Sequence, residues 1–194
     1  PSAIVVGNPA TFTLEISGSD DAAISTFTCS DPQAVFVFPA GTGLGGNEVM
    51  LGNGTHGFLL DTRVTGDLTV TVRVSDGSGH SVQRQCTVTS RYPKFSAMIR
   101  TMSSAALYSD SPMTLIIRST EYAGDYTVSY TTTSTNCRVS YGGSMLRPDS
   151  PVTLEAGQHI FTANSSYAER TEFVFTITDI YGQSQQAQAS ITWR

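Results

Sequence analysis

The chain has 194 residues, and only 14% of them are charged, against roughly a quarter in an ordinary soluble domain. Serine and threonine take over much of the solvation, with 24 Ser, 26 Thr and a single lysine, Lys94. This usage favours β-strands, in which threonine is common, over exposed helices rich in lysine and glutamate. The net charge of −5 argues against nucleic acid as a partner, because nucleic-acid-binding proteins carry a basic surface.

Apolar and polar residues alternate along successive short segments, which is the pattern of half-buried strands. In chain order, the apolar positions are Phe12, Leu14 and Ile16; Leu68, Val70, Val72 and Val74; Val82, Cys86 and Val88; Leu115 and Ile117; Tyr126, Val128 and Tyr130; and Phe173, Phe175 and Ile177. Clusters of Gly, Asn, Asp and Pro separate these segments, as they separate short antiparallel strands. About seven strands per hundred residues predict an all-β fold of the immunoglobulin-like sandwich type.

A shift of 103 residues, with no gap, aligns the two halves of the chain. It places 51–58 (LGNGTHGF) on 154–161 (LEAGQHIF) and Asp76 on Asp179, and it also places Thr11 on Thr114. Such internal similarity is typical of repeated domains. We therefore predict two tandem immunoglobulin-like β-sandwich domains, residues 1–92 and 93–194, joined by a short, stiff segment that contains proline.

The repeat assigns the two faces of the segment 35–38. The second copy has Arg138 and Ser140 in the places of Val35 and Val37, which predicts that these two valines point outward and Phe36 inward. Two interpretations of the valines remain open. Either a neighbouring loop or the other domain covers them, or they form a small apolar contact surface for a partner chain.

Two loops are further candidates for partner contact, because long loops on a rigid frame often carry binding functions. The glycine-rich run Gly41–Gly46 (GTGLGG) contains Leu44. The corresponding loop of the second copy presents the apolar pair Met145 and Leu146 beside Arg147. We expect these side chains to be exposed.

Cys29 and Cys86 both fall on the inward phase of their strands, and Thr132 and Ala189 replace them in the second copy. A disulfide would explain why both cysteines are absent together, so the pair is a candidate disulfide. The alternative is two small buried thiols in a β core. Cys137 is expected to be a free, partly buried thiol, because nothing around it indicates a nucleophile with a base.

The remaining polar motifs predict structure rather than chemistry. His56 and His159 occupy equivalent places without a repeated ligand or nucleophile, so we expect each imidazole to bond to a neighbouring loop. Asp76 and Asp179, each in D-x-x-G, favour turns. A calcium site between the domains would need several converging carboxylates, and the sequence contains no D-x-D-x-[DN] run that would supply them. With no catalytic or cofactor fingerprint, the sequence predicts no enzyme, no cofactor and no metal.

Four segments of the second copy carry a family resemblance: 122–126 (YAGDY), Tyr130, 145–148 (MLRP) and 178–183 (TDIYGQ). They resemble the TraQ-like family of Bacteroides conjugative transposons, whose domain has a similar Y-x-G-x-Y segment, a proline-ended loop and a D-x-aromatic-G-Q turn. The resemblance implies an exported β-sandwich protein associated with a conjugation apparatus at the cell envelope. It implies no catalytic residues.

These observations predict a non-enzymatic binding or scaffold module in the periplasm or on the cell surface, with a protein partner in the envelope. The chain begins at Pro1, as a processed chain does, and contains no apolar run long enough for a membrane span. A lipid anchor would therefore lie on a segment outside these residues. The alternative is an adhesin or carbohydrate-binding accessory module, for which Tyr122, Tyr167 and Tyr181 are expected in loops, whereas Trp193 lies on the core side of its strand.

Overall fold

The computed structural model describes residues 3–18, 21–39 and 43–194. Every regular element within these residues is a β-strand, which confirms the predicted all-β fold class. The chain divides into two compact units, residues 1–93 (unit 1) and 94–194 (unit 2).

The strands of unit 1 form two sheets. They are β1 (Ala3–Val5), β2 (Ala10–Ile16), β3 (Ala23–Cys29), β4 (Val35–Val37), β5 (Gly43–Gly45), β6 (Glu48–Leu51), β7 (Gly54–Asp61), β8 (Gly66–Ser75) and β9 (Ser81–Arg91). The larger sheet has the order β1-β9-β8-β3-β6-β5, and the smaller one has the order β2-β7-β4. β1 pairs parallel with β9, and the other ladders of this unit are antiparallel.

Unit 2 also consists of two sheets. Its strands are β10 (Ser96–Thr101), β11 (Ser104–Ala105), β12 (Ser111–Arg118), β13 (Tyr126–Thr132), β14 (Cys137–Tyr141), β15 (Ser144–Leu146), β16 (Val152–Leu154), β17 (Gly157–Ser165), β18 (Arg170–Thr178) and β19 (Ser184–Trp193). The sheets have the orders β11-β19-β18-β13-β16 and β10-β12-β17-β14-β15. The short β11 pairs parallel with β19, as β1 does with β9.

The inward faces of the two sheets meet in the core of each unit. In unit 1 the ring of Phe27 on β3 lies 4.6 Å from that of Phe58 on β7, centroid to centroid. In unit 2 Phe161 on β17 contacts Phe175 on β18 at 5.0 Å. Each pair joins opposite sheets, so these edge-to-face contacts hold the layers of a β-sandwich together. Trp193 is fully buried, as its position in the strand predicts.

An offset of 103 residues relates the strand registers of the two units from β3 and β13 onward. For β1 and β2 the offset is 101. Thr11 lies opposite Leu59, and Thr162, the residue equivalent to Leu59 in unit 2, lies opposite Pro112. The predicted alignment of Thr11 with Thr114 is therefore wrong by two residues, because unit 2 has two additional residues between β12 and β13.

The loop with these additional residues is held by aromatic packing. The ring of Tyr122 lies so close over Gly124 that a Cβ at Gly124 would clash with the Tyr122 hydroxyl. Tyr122 also contacts Tyr126 and Tyr181, with ring centroids 5.5 and 6.0 Å away. The Y-x-G-x-Y segment and the D-I-Y-G-Q turn therefore meet, and their aromatic residues pack a loop instead of forming an open platform.

Equivalent aspartates close the last hairpin of each unit, as the D-x-x-G motif predicts. The Asp179 Oδ1 atom accepts hydrogen bonds from the backbone N–H groups of Tyr181 and Gln183, both at 2.9 Å. The Gln183 side chain donates to the other carboxylate oxygen at 2.8 Å. Asp76 holds the corresponding turn in unit 1 through the N–H groups of Ser78 and His80. Asp179 is buried, so its bonds are shielded from water.

Replacing Asp179 with Ala should lower the free energy of unfolding by about 2 kcal/mol, because a buried turn loses several hydrogen bonds to a charged acceptor. Urea unfolding followed by Trp193 fluorescence measures this loss within unit 2. Asp179→Asn is the matched control, since its Oδ1 atom still accepts the two backbone bonds, and it should cost clearly less. Equal losses for the two variants would contradict this account of the turn.

Candidate functional site

Two valines on strand β4 lie on the outer face of the smaller sheet of unit 1. Val35 is 55% exposed and Val37 50% exposed, whereas Phe36 between them is buried. Val37 lies opposite Leu59 of β7, so the two side chains share one face of the sheet. We call Val35, Val37 and Leu59 the valine patch. The predicted orientation of the segment is confirmed, with both valines exposed and Phe36 buried.

The turn that leads into β4 is fixed by the buried carboxylate of Asp31. It accepts hydrogen bonds from the backbone N–H of Gln33 at 2.9 Å and from the hydroxyl of Thr62 at 2.7 Å. Burial by itself raises the pKa of Asp31, but bonds from Thr62, Gln33 and the Arg63 backbone outweigh burial and hold this pKa below its usual value. Asp31 is therefore charged at neutral pH and anchors the chain that presents the valine patch.

Replacing Thr62 with Val should lower the free energy of unfolding by about 1–3 kcal/mol at pH 7, because the buried carboxylate loses a donor. The pKa of Asp31 is lowered in the folded state, so its stabilisation is complete above the unfolded value of about 3.9 and is lost as pH falls through the folded value. The difference between Thr62→Val and the unmodified protein should therefore shrink in acid. Urea unfolding over a pH series measures it, with Thr62→Ser as the control that keeps the hydroxyl. A difference independent of pH would contradict the role of Asp31.

The two loops predicted for partner contact lie at different places in their units. Gly41 and Thr42 are outside the described residues, and Leu44 on β5 is exposed. β5 pairs with β6 at the edge of the larger sheet of unit 1. β15 pairs with β14 in unit 2, at the edge of the sheet that corresponds to the smaller sheet of unit 1. The predicted equivalence of the two loops is therefore wrong, although Leu44 and Met145 are both exposed as expected.

Only part of the second loop is available for contact. Met145 and Arg147 are exposed, but Leu146 packs against the core of unit 2. Its carbonyl oxygen accepts a hydrogen bond from the hydroxyl of Tyr130 at 3.2 Å. The expectation of an exposed apolar pair is thus wrong for Leu146, because neighbouring residues of β15 point to opposite faces.

Cys29 and Cys86 are both free, which corrects the candidate disulfide. Cys29 on β3 and Cys86 on β9 both lie opposite Val70 of β8, the strand between them. Residues two strands apart are separated by about 10 Å, whereas a disulfide needs Cα atoms within about 7 Å. Cys86 is exposed instead of buried. Cys137 is free and buried, and burial raises the pKa of its thiol to about 11, so it is protonated at neutral pH.

The two equivalent histidines stabilise turns, as predicted. The Nε2 atoms of His56 and His159 bond to the carbonyl oxygens of Gly52 and Glu155, both at 2.8 Å. A carbonyl oxygen can only accept, so Nε2 carries the proton in each ring. In unit 2 the Nδ1 atom of His159 then accepts a hydrogen bond from the hydroxyl of Tyr141 at 3.1 Å. Both ring nitrogens of His159 are engaged in holding structure.

Sequence reasoning missed a polar cleft of about 440 Å³ on the outer face of unit 2. Tyr108, Asp110, Arg138, Met145 and Asn164 are among its lining residues, and we call it the tyrosine cleft. Tyr108 is 74% exposed and has a φ of +59°, a conformation that few residues other than glycine adopt. The Asn164 amide donates to the Asp110 carboxylate at 3.0 Å. The outward positions of Arg138 and Asn164 follow from strand alternation, but nothing in the sequence reveals the backbone of Tyr108.

The tyrosines expected in loops do lie in loops, with different surroundings. Tyr167 is exposed, whereas Tyr122 and Tyr181 are half-buried against each other. Burial raises the pKa of the Tyr122 hydroxyl, and nearby Tyr181 adds to this effect. Of the three, only Tyr167 therefore presents most of its ring to a ligand.

Among the described residues, no three or more His, Cys, Asp or Glu side chains are grouped so that they could hold a metal ion. The same residues contain no helix long and apolar enough to cross a membrane.

Neither family models nor curated protein sequences match this chain. Among solved structures, it is similar to a conjugative transposon lipoprotein from Bacteroides eggerthii, with 14% identity and a TM-score of 0.44 over 52% of this chain and 98% of that one. It is also similar to a lipoprotein from Bacteroides thetaiotaomicron, with 17% identity and a TM-score of 0.45 over 53% and 82% of the two chains. A Salmonella alpha-2-macroglobulin matches all of this chain with 16% of its own length, at 14% identity and a TM-score of 0.37. These TM-scores are below 0.5, so the fold rests on the strand pairing described above.

Proposed function

We propose that the chain is a non-enzymatic extracytoplasmic module that binds a protein partner through the valine patch of unit 1. The observation that carries this proposal is the exposure of Val35 and Val37 on a strand at the edge of its sheet. Exposed apolar residues on an edge strand favour association with another chain, and natural proteins usually avoid or cover them.

The proposed context has two further parts. The common offset in strand register supports two tandem copies of one domain, from which an envelope scaffold could be built. The TraQ-like motifs of unit 2 support export to the periplasm or cell surface and a role beside a conjugation apparatus. Their residues 122–126 and 178–183 pack and turn the chain, so partner contact is assigned to the valine patch and not to these motifs.

Replacing Val35 and Val37 together with Ser should leave the melting temperature nearly unchanged, because both side chains are already largely in water. The variant should lose capture of an envelope protein that the unmodified chain retains in a pull-down read by mass spectrometry. Ile24→Ser is the matched control, since Ile24 is an exposed apolar residue of the larger sheet in the same unit. Undiminished capture by the double variant would refute the proposal.

A second candidate function is glycan binding in the tyrosine cleft. The observation that favours it is an exposed ring, Tyr108, beside the polar groups of Asp110, Arg138 and Asn164. Sugars are commonly bound by an aromatic face together with a few convergent polar groups. The φ of +59° fixes Tyr108 in a strained conformation, which is often kept where a residue has a function.

A glycan array followed by calorimetry tests this second function. If the cleft binds a glycan, Tyr108→Ala should abolish binding, and Tyr108→Phe should retain most of it because the ring supplies the stacking surface. Tyr167→Ala, an exposed tyrosine that does not line the cleft, should bind normally. An array without any bound glycan would reject the function.

A further inference from the structure

The sheet β10-β12-β17-β14-β15 of unit 2 carries basic residues on its outer face. Side chains alternate along each strand, so the residues between the core positions point outward. The charged residues at these outward positions are Arg100, Arg118 and Arg138, and no described strand of the sheet places an acidic residue among them. None of the three guanidinium groups has a hydrogen-bond or ion-pair partner among the described residues. Asp110, just before β12, is bonded instead to Asn164.

Exposed apolar side chains lie between these arginines. Arg100 on β10 and Ile160 on β17 both lie opposite Thr114 of β12, the strand between them, so they are about 10 Å apart. Ile160 is 62% exposed, and Met98 on β10 and Met145 on β15 are exposed as well. Methionine and arginine are both enriched where proteins contact each other. We call the three arginines together with Met98, Met145 and Ile160 the arginine face.

The other sheet of unit 2 lacks this character. Among its described strand positions, the outward charged residues are Arg170 and Glu172 of β18, and they form an ion pair at 3.4 Å. Their charges therefore offset each other. The uncompensated positive charge on the strands of unit 2 is confined to the arginine face.

The equivalent face of unit 1 has charge of the opposite sign. The strands β2, β7 and β4 correspond to β12, β17 and β14, and their outer face presents the valine patch. The charged residues at its outward strand positions are Glu15, which is exposed, and Asp61, which lies opposite Val35. Arg63 in the following turn pairs with Asp61 at 3.2 Å and offsets one of the two charges. Unit 1 as a whole still has four more acidic than basic residues.

We propose that the arginine face of one copy of the chain binds the valine patch of a second copy. This inference rests on the proposed function and names the partner of the same patch. Both surfaces are outer faces of equivalent sheets, and sheets pack face to face about 10 Å apart. The contact would bury Val35 and Val37 against Ile160, while the arginines meet the acidic surroundings of unit 1. Because it joins two unlike surfaces, it assembles copies in a row or in a closed ring.

Sedimentation equilibrium of the whole chain, up to about 1 mM, tests the contact down to weak affinities. The average mass should rise with concentration from that of one chain towards twice that value or more. It should fall back in about 1 M salt, where the Debye length is about 3 Å. Arg100→Glu combined with Ile160→Asp should hold the chain as a monomer. The matched control is Arg170→Glu combined with Ile180→Asp, which makes the same exchanges at exposed residues outside the arginine face and should leave association intact.

A mixture of two variants identifies the pair of surfaces. Val35→Ser with Val37→Ser should also be a monomer, because its valine patch is lost. Mixed in equal amounts with the variant at Arg100 and Ile160, it should give a dimer of about twice the mass of one chain and nothing larger. One intact valine patch then meets one intact arginine face. Arg100 and Ile160 do not line the tyrosine cleft, so the glycan test stays separate.

The proposal would be overturned by an unmodified chain that stays a monomer at about 1 mM, or by undiminished association of either variant. A mixture that contains only monomers would overturn it as well. A monomeric chain that nevertheless captures a different envelope protein through Val35 and Val37 would reject this inference and leave the proposed function standing. Loss of that capture without any effect on self-association would do the same.

Discussion

The contact between aromatic rings across the two sheets is the interaction on which each sandwich depends. Phe58 and Phe161 occupy equivalent positions, but Phe58 meets Phe27, whereas Phe161 meets Phe175. Phe27 lies opposite Val72 within its sheet, and in unit 2 Tyr130 lies opposite Phe175. The ring that contacts this phenylalanine thus comes from β3 in unit 1 and from β18, the counterpart of β8, in unit 2. An aromatic contact between the sheets is therefore kept although a different strand supplies it.

With the facing layers fixed in this way, the two units differ mainly at the sheet edges. The segment after β4 crosses to the larger sheet as β5 and β6, whereas the segment after β14 first turns back as β15 and extends the same sheet. In unit 2, β10 pairs with β12 and extends its sheet, whereas β2 pairs with β7 alone among the described residues of unit 1. Edge strands tolerate such changes because they bury less and share fewer ladder hydrogen bonds, and an open edge is also a site for a further strand.

The sequence was sufficient to predict what alternation and turn chemistry determine. Three features follow from local patterns that can be compared between the two copies. They are the strand faces at Val35 and Val37, the bonds of His56 and His159 to neighbouring loops, and the Asp179 turn. The sequence was insufficient where pairing between strands determines which side chains are buried. Cys86 has the inward phase, yet no described strand covers it, and Leu146 is half-buried against the core because β15 pairs with β14. The tyrosine cleft depends on the unusual backbone of Tyr108, which no residue pattern announces.

The difference in charge between the units has a counterpart in their exposed surfaces. Unit 1 carries four more acidic than basic residues, and its valine patch offers apolar surface at one edge of the three-stranded sheet. Unit 2 is nearly neutral, with eight acidic and seven basic residues, and its cleft is polar. For the partner proposed for the valine patch, long-range attraction and local burial would therefore favour the same surface, an apolar face with basic flanks. A glycan in the tyrosine cleft, the second function proposed, would gain little from long-range attraction and would depend on hydrogen bonds and the ring of Tyr108.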